Sequence, residues 1–364
     1  MSRFLYYLIF TNMMAIITTP IPRILLVQSE DGAIGSMLVG TAAGMIFMYI
    51  TIKFFIRFPG MDFIDLLQAY TSNRVRIPVT IYFAIFWYIS GLITLIMTVF
   101  LLITFLTPVM SIYTITCSIV ITVFFGVLLK SKSVLFTMEI VVILLIPVAL
   151  LMFFKLFTAS EVDWDQTRLA IMHINQMPKY SSIVATSFMF LGCSNLIIFN
   201  RYFKEQQHVS MLSLVFISLF AVLMLVTSYF IPIGLSGFDR IEQLIFPWTS
   251  SADSVRMKFG IIERVIFIFM FLFVTLAFVS IIIHWHISYK LILSVFRLKA
   301  LQFQQQNFTP FLVVLVFSLL GIWLTALLTQ YQLYHYTSLF YYTIPLFVAI
   351  LFFTMMAIKK GASK

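Results

Sequence analysis

Long apolar runs separated by short polar turns dominate the pattern of this chain. A membrane-spanning helix needs about 20 mostly apolar residues, and segments of this kind recur throughout. The pattern therefore predicts an all-α polytopic membrane protein with about ten spans, forming one transmembrane domain over residues 1–364. The predicted spans are residues 4–28, 33–56, 78–105, 108–129, 134–157, 181–200, 208–233, 260–288, 309–328 and 338–358.

Composition indicates that the surrounding solvent is lipid. Hydrophobic residues make up 62% of the chain and charged residues 10%, against roughly 45–50% and roughly 25% in soluble domains. A net charge of +10 in a soluble protein would suggest nucleic acid. Here the basic residues lie at span ends, where lipid headgroups attract them, so we expect a lipid bilayer and no nucleic acid as partner.

Lysine and arginine collect in alternate loops, together with Arg3, while most acids lie in the opposite loops. Because basic loops stay on the cytoplasmic side, this bias predicts that both termini are cytoplasmic. The basic loops contain Lys53, Arg57, Arg74, Arg76, Lys130, Lys132, Arg201, Lys204, Lys290, Arg297, Lys299, Lys359, Lys360 and Lys364. The opposite loops contain Glu30, Asp31, Glu161, Asp163, Asp165, Asp239, Glu242 and Asp253.

Two shorter patterns add detail to this topology. Met61–Tyr70, between spans two and three, has apolar residues on one helical face and follows a Pro59-Gly60 turn. It predicts an amphipathic helix along the cytoplasmic surface. The Gly40 and Gly44 pair in span two predicts a close helix contact.

Two spans contain helix breakers. Pro20 and Pro22 in span one remove backbone donors, so a straight helix cannot continue there. Residues 192–195 of span six are small or polar, and glycine permits unusual backbone angles. Interrupted spans at positions one and six of ten are the arrangement of a 5+5 inverted repeat, as in LeuT-like transporters, with repeats over about 4–157 and 181–358. Simple kinks are the alternative interpretation.

The predicted ligand site lies between the two interrupted spans, where half-helix ends would direct backbone amides at an anionic group. Trp87 and Tyr88 of span three could add an aromatic wall, although aromatic residues are so abundant in this chain that plain packing is the simpler explanation. For Asn195 the alternative is an interhelical hydrogen bond. The candidate ligand-binding residues are Ala15, Ile16, Ile17, Thr18, Thr19, Tyr88, Gly192, Cys193, Ser194 and Asn195.

Charged residues near the membrane interior are a second set of candidates, since a charge within a span is costly and is usually paired or functional. Glu139 of span five could couple protons or serve structure. Glu263 and Arg264 at the start of span eight would pair with outer-loop charges, and Arg23 would extend outward to the headgroups. The structural or coupling candidates are Pro20, Pro22, Arg23, Glu139, Glu263 and Arg264.

No pattern for catalysis or metal binding stands out. Cys117 and Cys193 lie in apolar segments without metal-ligand spacing. His284 and His286 point about 200° apart on a helix of 3.6 residues per turn. With Trp285 and Lys290 they predict an aromatic belt at the cytoplasmic interface. We find no nucleophile–base pair or phosphate loop. The sequence therefore predicts no enzyme, no catalytic residue, no metal and no cofactor.

Short motifs along the whole chain resemble one family. They are IPRIL at Ile21–Leu25, RFPG at Arg57–Gly60, SFMFLG at Ser187–Gly192, FPWTS at Phe246–Ser250 and GIIERVIF at Gly260–Phe267. In this order and spacing the chain resembles the GerA-type, permease-like B-subunits of spore germinant receptors, in the amino acid–polyamine–organocation superfamily.

The resemblance implies a nutrient-sensing subunit in the spore inner membrane, working with a membrane-embedded A-subunit and a lipoprotein C-subunit. It would bind a small nutrient such as an amino acid and signal without needing to transport it. A proton- or sodium-coupled amino acid transporter and a scaffold that binds no ligand remain alternatives. Family members often have glycines shortly before the Leu-Pro-Arg stretch. Here the stretch is Met14–Ile17, and bulky Ile17 would fill the space.

Overall fold

The computed structural model describes residues 3–15, 20–203, 210–257, 262–296, 302–303 and 306–363. In these ranges the backbone is overwhelmingly helical, and the strands are limited to one antiparallel pair of two residues each. The helices are α1 (Arg3–Met14), α2 (Ile21–Leu26), α3 (Ala33–Phe55), α4 (Phe63–Tyr70), α5 (Asn73–Phe105), α6 (Ile112–Leu128), α7 (Ser131–Phe157), α8 (Trp164–Met172), α9 (Tyr180–Ser187), α10 (Leu196–Phe199), α11 (Met211–Ser236), α12 (Pro247–Ser254), α13 (Val265–Val295), α14 (Thr309–Leu327), α15 (Gln330–Tyr342) and α16 (Ile344–Ala362). Four 3₁₀ segments (His173–Asn175, Phe188–Asn195, Asn200–Tyr202 and Phe238–Gln243) and the strands β1 (Gln302–Phe303) and β2 (Gln306–Asn307) complete the described elements.

Eight helical segments of the described chain are long and apolar enough to cross a membrane. The shorter apolar helix α6 corresponds to predicted span four, and α1 and α2 lie on either side of the break in span one. The prediction of an all-α polytopic membrane protein is therefore confirmed. The inverted-repeat relation between its halves stays a prediction.

Several helices extend beyond the predicted spans, because hydropathy does not detect the polar residues at their ends. α5 begins at Asn73, before its internal Pro78. α13 continues to Val295. Span ten was predicted over 338–358 but begins at Gln330, where a Thr329–Gln332 capping box satisfies the first amides. It is also divided at Thr343, which ends α15 and precedes α16.

Span six does not open into a loop. α9 passes into a 3₁₀ stretch over Phe188–Asn195 and then into α10. The positive-φ glycines in the described chain are Gly32, Gly60 and Gly237, so Gly192 does not supply the unusual backbone angle that the sequence suggested. The interruption is therefore a tightening of the helix, of the kind often found at hinges.

Two apolar clusters fill the interior. One surrounds span six together with α1, α3, α4 and α16, and the other lies around α5, α6, α13 and α14. α5 and α13 pack side by side at the centre. Gly91 of α5 makes this approach possible, because a Cβ there would lie 2.5 Å from the Trp285 indole of α13.

The predicted surface helix is present as α4. Asp62 and Asp65 form a capping box at its start, and Phe63, Leu66 and Leu67 are buried on its inner face. The end of span six and the α13 residue Lys290 lie beside it. We call this side of the molecule the basic face. On the opposite side, Lys179 pairs with Asp31 at 2.7 Å at the start of span six.

The Gly40–Gly44 pair of α3 is a helix contact within the chain. A Cβ at Gly40 would lie 2.6 Å from the Ile183 carbonyl oxygen, and one at Gly44 would lie 2.2 Å from the Phe190 ring. These glycines therefore bring span two against span six, as small residues do in membrane helix packing.

Candidate functional site

A small buried cavity lies where α1, α5, α13 and α15 meet the 3₁₀ stretch of span six. Its volume is about 10 Å³, close to the ~10–15 Å³ that one water molecule requires. The described conformation is thus nearly closed here, and a nutrient could enter only if the helices move apart. The lining residues are Asn12, Ala15, Ser90, Ile93, Thr94, Phe188, Ser280, His284, Phe340 and Tyr341.

Asn12 joins the two interrupted spans at this cavity. Its side-chain Nδ2 donates to the carbonyl oxygens of Phe188 and Met189, each at 2.9 Å. These carbonyls begin the 3₁₀ stretch, where the regular α-helical hydrogen-bond pattern stops. Asn12 is buried, so both donors of its amide are used inside the protein. Asn12 therefore ties α1 directly to the 3₁₀ stretch of span six.

Gly192 provides the second contact between these spans. A Cβ at this position would lie 2.7 Å from both the Asn12 Cβ and the Leu8 carbonyl oxygen, and 3.1 Å from the Ile9 Cα. Two of these three atoms belong to the α1 backbone, which cannot move aside as a flexible side chain can. The missing side chain thus allows α1 and span six to approach closely.

The wall formed by α5 and α13 carries uncharged polar groups. The His284 ring stacks on the Trp87 ring with centroids 5.1 Å apart and an angle of 16° between the planes. Ser280 Oγ lies 3.4 Å from His284 Nδ1, and Thr94 donates to the Ser90 carbonyl at 3.2 Å. No Asp, Glu, Lys or Arg is among the lining residues. The described lining therefore favours recognition by hydrogen bonds and aromatic contact.

The profile of a family described as spore germination proteins matches residues 2–326. This range covers most of the chain and includes α1, α5, α13 and the 3₁₀ stretch of span six. The chain belongs to the spore germination protein family. The match confirms the resemblance found in the sequence, and it identifies a germination-related, permease-like integral membrane protein of a family that is not one of enzymes. Comparisons with curated proteins and with solved structures find no match.

In this spore germination protein the predicted site residues fall into three groups. Ala15 lines the cavity, while Ile16, Ile17, Thr18 and Thr19 lie outside the described residues. Gly192, Cys193, Ser194 and Asn195 are buried in the 3₁₀ stretch but do not line the cavity. Tyr88 faces α14, and its hydroxyl donates to the Phe317 carbonyl of that helix at 3.0 Å. Its ring stacks on Trp285 of α13. Ligand contact by any of them stays a prediction.

Within span six, the buried polar groups are satisfied unequally. The Ser194 hydroxyl donates to the Leu191 carbonyl. Asn195 Oδ1 is buried and has no hydrogen-bond partner among the described residues. A buried amide oxygen without a partner is unfavourable, so Asn195 would gain from any motion that brings a donor to it.

The charged candidates of the germination protein are paired. Glu139 is buried and contacts Arg3 Nε at 2.9 Å. Glu263 pairs with Arg256 at 3.0 Å. Arg264 pairs with Asp253. Glu263 and Arg264 precede α13, which begins at Val265, so they lie before the helix of span eight and not within it. Their partners, Arg256 and Asp253, belong to the segment between spans seven and eight, as the sequence suggested.

Arg23 does not extend outward as the sequence indicated. It follows Pro22 in the first turn of α2, and its guanidinium donates to the Leu244 carbonyl. The same group lies 4.9 Å from the centre of the Tyr334 ring, and the Tyr334 hydroxyl donates to the Ile245 carbonyl at 2.6 Å. The aromatic ring and the carbonyl provide cation–π and hydrogen-bond partners inside the protein. Arg23 thus joins the second half of span one to the 244–245 loop and span ten.

Most cavity residues were missed because each is an isolated polar residue in a long apolar helix. A signal was present: Ser90 and Thr94 on α5 and Ser280 and His284 on α13 are each spaced by four residues, which places each pair on one helix face. The predicted aromatic belt at 284–286 is also wrong. All three residues are buried, because α13 continues beyond them to Val295.

No metal site is evident in the described part of the germination protein. No group of three or more His, Cys, Asp or Glu side chains there is placed to hold an ion.

Proposed function

We propose that this protein is the permease-like, nutrient-sensing subunit of a spore germinant receptor, located in the spore inner membrane with both termini in the cytoplasm. The observation that carries the proposal is the nearly closed cavity at the meeting point of the two interrupted spans, where Asn12, Ser280 and His284 are among the lining residues. A small nutrient, such as an amino acid, would bind the conformation in which this cavity is open. Binding would then shift the population toward that conformation.

The contacts around the cavity support a signalling mechanism. Asn12 holds α1 to span six, and Arg23 holds α2 to span ten. An opening of the cavity changes one or both contacts, so ligand binding is coupled to movement at the outer end of the molecule. The receptor A-subunit and the lipoprotein C-subunit would receive this movement.

The experiment that tests the proposal is nutrient-triggered germination of spores lacking this gene. The panel contains amino acids, sugars and nucleosides, with a receptor-independent germinant as control. Loss of the response to one defined nutrient, with an intact control, supports the receptor role. An unchanged response to every nutrient, in spores that lack other nutrient receptors as well, contradicts it.

A proton- or sodium-coupled amino acid transporter is the second candidate. The small cavity between the interrupted spans supports this candidate by its position. On one side the contact of Arg23 with Tyr334 closes the path to it, and on the other side a larger cavity opens on the basic face, which is an arrangement suited to alternating access. Ligand-dependent uptake into proteoliposomes would establish transport. Saturable nutrient binding without uptake would favour the sensor. Neither binding nor uptake, in a protein that still assembles with its partner subunits, would favour a scaffold that binds no ligand.

A further inference from the structure

An apolar groove opens on the lipid-facing side of the molecule between α7 and α11, with α1 as its floor. Its volume is about 230 Å³, and the described residues that line it are all apolar. α1 contributes Phe10 and the buried Met14. The rims are open to lipid, because Leu150 of α7 and Phe216 of α11 are both exposed. We call this space the α1 groove.

The α1 groove continues toward the basic face between α1 and α11. A space of about 420 Å³ is lined there by Tyr6 of α1 and by α11 residues that include Phe216, which also lines the first space. Tyr6 lies one turn after the start of α1, and its hydroxyl donates to Ser213 Oγ, in the first turn of α11, at 2.6 Å. The groove therefore has a polar end at the helix starts, where a tyrosine is typical of the headgroup level.

The length of the α1 groove fits one leaflet of a bilayer. α1 and α11 run parallel along it, since Tyr6 contacts Ser213 and Phe10 contacts Phe220 with ring centres 4.7 Å apart. The lining extends along α11 from Leu212 to Met224, which is about 18 Å at a rise of 1.5 Å per residue. Half of the hydrocarbon core is about 15 Å. The polar-to-apolar direction and the depth are thus those of a lipid chain.

The α1 groove fits an acyl chain and favours no particular headgroup charge. No charged residue is among its described lining residues. Arg3, at the start of α1, is the nearby cation, and it already contacts Glu139 at 2.9 Å. Because lipid tails are as apolar as the groove itself, binding rests on the close van der Waals packing of a chain between three helices.

We propose that the α1 groove binds one acyl chain of a phospholipid from the leaflet at the basic face, with the headgroup near Tyr6 and Ser213. The rims are continuous with the lipid-facing surfaces of α7 and α11, so the chain enters laterally without leaving the bilayer. Met14 of the groove is followed by Ala15, which lines the closed cavity between the interrupted spans. The bound chain thus packs behind the helix that closes this cavity. Its binding does not depend on the proposed nutrient function.

The test uses the full chain in phosphatidylcholine nanodiscs that contain a phosphatidylcholine analogue with a photoactivatable diazirine in one acyl chain. After illumination, the labelled residues are identified by peptide mass spectrometry. We expect label on the groove floor, at Phe10 and Met14, as well as on the lipid-facing residue Leu151. Leu151 is 69% exposed and Met14 is 4% exposed. Bulk lipid therefore labels Leu151, whereas a chain reaches Met14 by entering the groove.

Filling the α1 groove should remove the floor label. Leu150→Trp and Leu223→Trp enlarge side chains that line the groove from α7 and from α11. The matched controls are Leu151→Trp and Val222→Trp, whose positions do not line it. Leu150 and Leu151 are 60% and 69% exposed, and Leu223 and Val222 are both 43% exposed. We expect a severalfold loss of floor label in the two groove variants and no loss in the two controls.

Two results would overturn the proposal. The first is label on the exposed residues without label on the groove floor, as expected if a helix of another chain fills the groove. The second is an equal loss of floor label in the groove variants and in their controls. Because the two groove variants lie on different helices, misfolding of one, detected by its thermal midpoint in detergent, leaves the other as a test.

Discussion

Asn12 and Asn200 are two buried asparagines that hold span six, one in its middle and one near its C-terminal end. Asn12 donates to the carbonyls at the start of the 3₁₀ stretch, and Asn200 donates to the carbonyls of Phe58 and Met61 at 2.8 and 2.7 Å. Each amide group satisfies more than one backbone carbonyl, and an unsatisfied buried carbonyl is unfavourable. Single side chains thus determine where this span contacts its neighbours.

Replacing Asn200 tests this role. Asn200→Asp keeps the shape but turns the donor into an acceptor that faces carbonyl oxygens. We expect a loss of about 1–3 kcal/mol in the free energy of unfolding, measured as a lower thermal midpoint in detergent. Asn73→Asp, at an exposed first helical position, is the control and should leave the midpoint unchanged. Equal midpoints for the two variants would show that the Asn200 contacts contribute little.

Asp62 gives a pH-dependent prediction at the basic face. Burial raises the pKa of this carboxyl from 3.8 to about 6, and the Asp65 charge adds to the rise while Arg201 opposes it. Between these values the folded protein binds more protons than the unfolded chain, so this group lowers stability as pH rises. Asp62→Asn keeps a side-chain acceptor at the N-cap and removes the effect.

The measurement is the thermal midpoint from pH 4 to pH 7. The wild type should lose more stability over this range than Asp62→Asn. Asp65→Asn is the opposite case. Burial opposes ionisation of Asp65, but its contacts with Arg201 and Asp62 favour the ionised form more strongly and lower its pKa. Asp65 therefore contributes less to the stability of the folded protein as the pH falls. Parallel curves for the wild type and Asp62→Asn would be inconsistent with a raised pKa.

Ser280 gives a prediction for the closed cavity. Ser280→Val adds a methyl group beside a space of about 10 Å³ and removes a hydroxyl, so we expect loss of nutrient-triggered germination. Ser318→Val is the matched control, because both serines are 4% exposed and Ser318 does not line the cavity. Both variants should reach normal levels in the spore membrane. A normal nutrient response of Ser280→Val would argue against ligand binding at this cavity.

At the scale of elements, glycines set the distances between helices. Gly40 and Gly44 bring span two against span six, Gly91 brings α5 against α13, and Gly192 brings α1 against span six. None of these four has a positive φ in the described chain. Their function is therefore close approach, which a Cβ would prevent.

Gly192→Ala tests the contact between span six and the α1 backbone. Its Cβ would meet α1 backbone atoms at 2.7 and 3.1 Å, so we expect a loss of about 1–3 kcal/mol from overpacking. Gly321→Ala is the control, because its Cβ would meet side-chain atoms of Leu95 and Trp285 at 3.2 Å. The measurement is thermal unfolding in detergent. A smaller loss for Gly192→Ala than for Gly321→Ala would show that α1 adjusts freely.

At the scale of the whole molecule, charge is divided between two faces. The basic face carries α4, Arg201 and Lys290. The other side carries exposed ion pairs such as Lys179 with Asp31 and Arg256 with Glu263. Helix connectivity places these sets at opposite ends of the spans, and the positive-inside rule predicts that the basic face is cytoplasmic.

Cysteine labelling in vesicles of known orientation tests this assignment. In a background with Cys117 and Cys193 replaced by serine, Ser160→Cys, on the turn after span five, should react with an impermeant maleimide from outside. Ser363→Cys, after α16, should react only once the membrane is permeabilised. Both positions are exposed. Labelling of both from the same side would contradict the predicted topology.

Much of the fold could be read from the sequence, and less of the candidate site. Apolar runs located the spans, and the pattern at Met61–Tyr70 located α4. Both patterns are readable because the polarity of each side chain favours either an apolar or an aqueous environment. The ends of α13 and α15 were missed, since capping and packing extend helices beyond the apolar segment. Asn12 was missed as a cavity residue because a single polar residue in a span carries no information about its neighbours. The four-residue spacing of Ser280 and His284 indicates a shared helix face but not which helices that face meets.

By itself, the sequence determined the class of protein, the approximate spans and the family, because hydrophobicity and motif order are local properties of the chain. The tertiary structure decided how the spans meet. It placed Asn12 against the carbonyls of span six, Arg23 against Tyr334, and Arg201 against the carboxylates of Asp62 and Asp65. These relations join residues far apart in the chain, and only the packing of helices fixes which of them share a cavity.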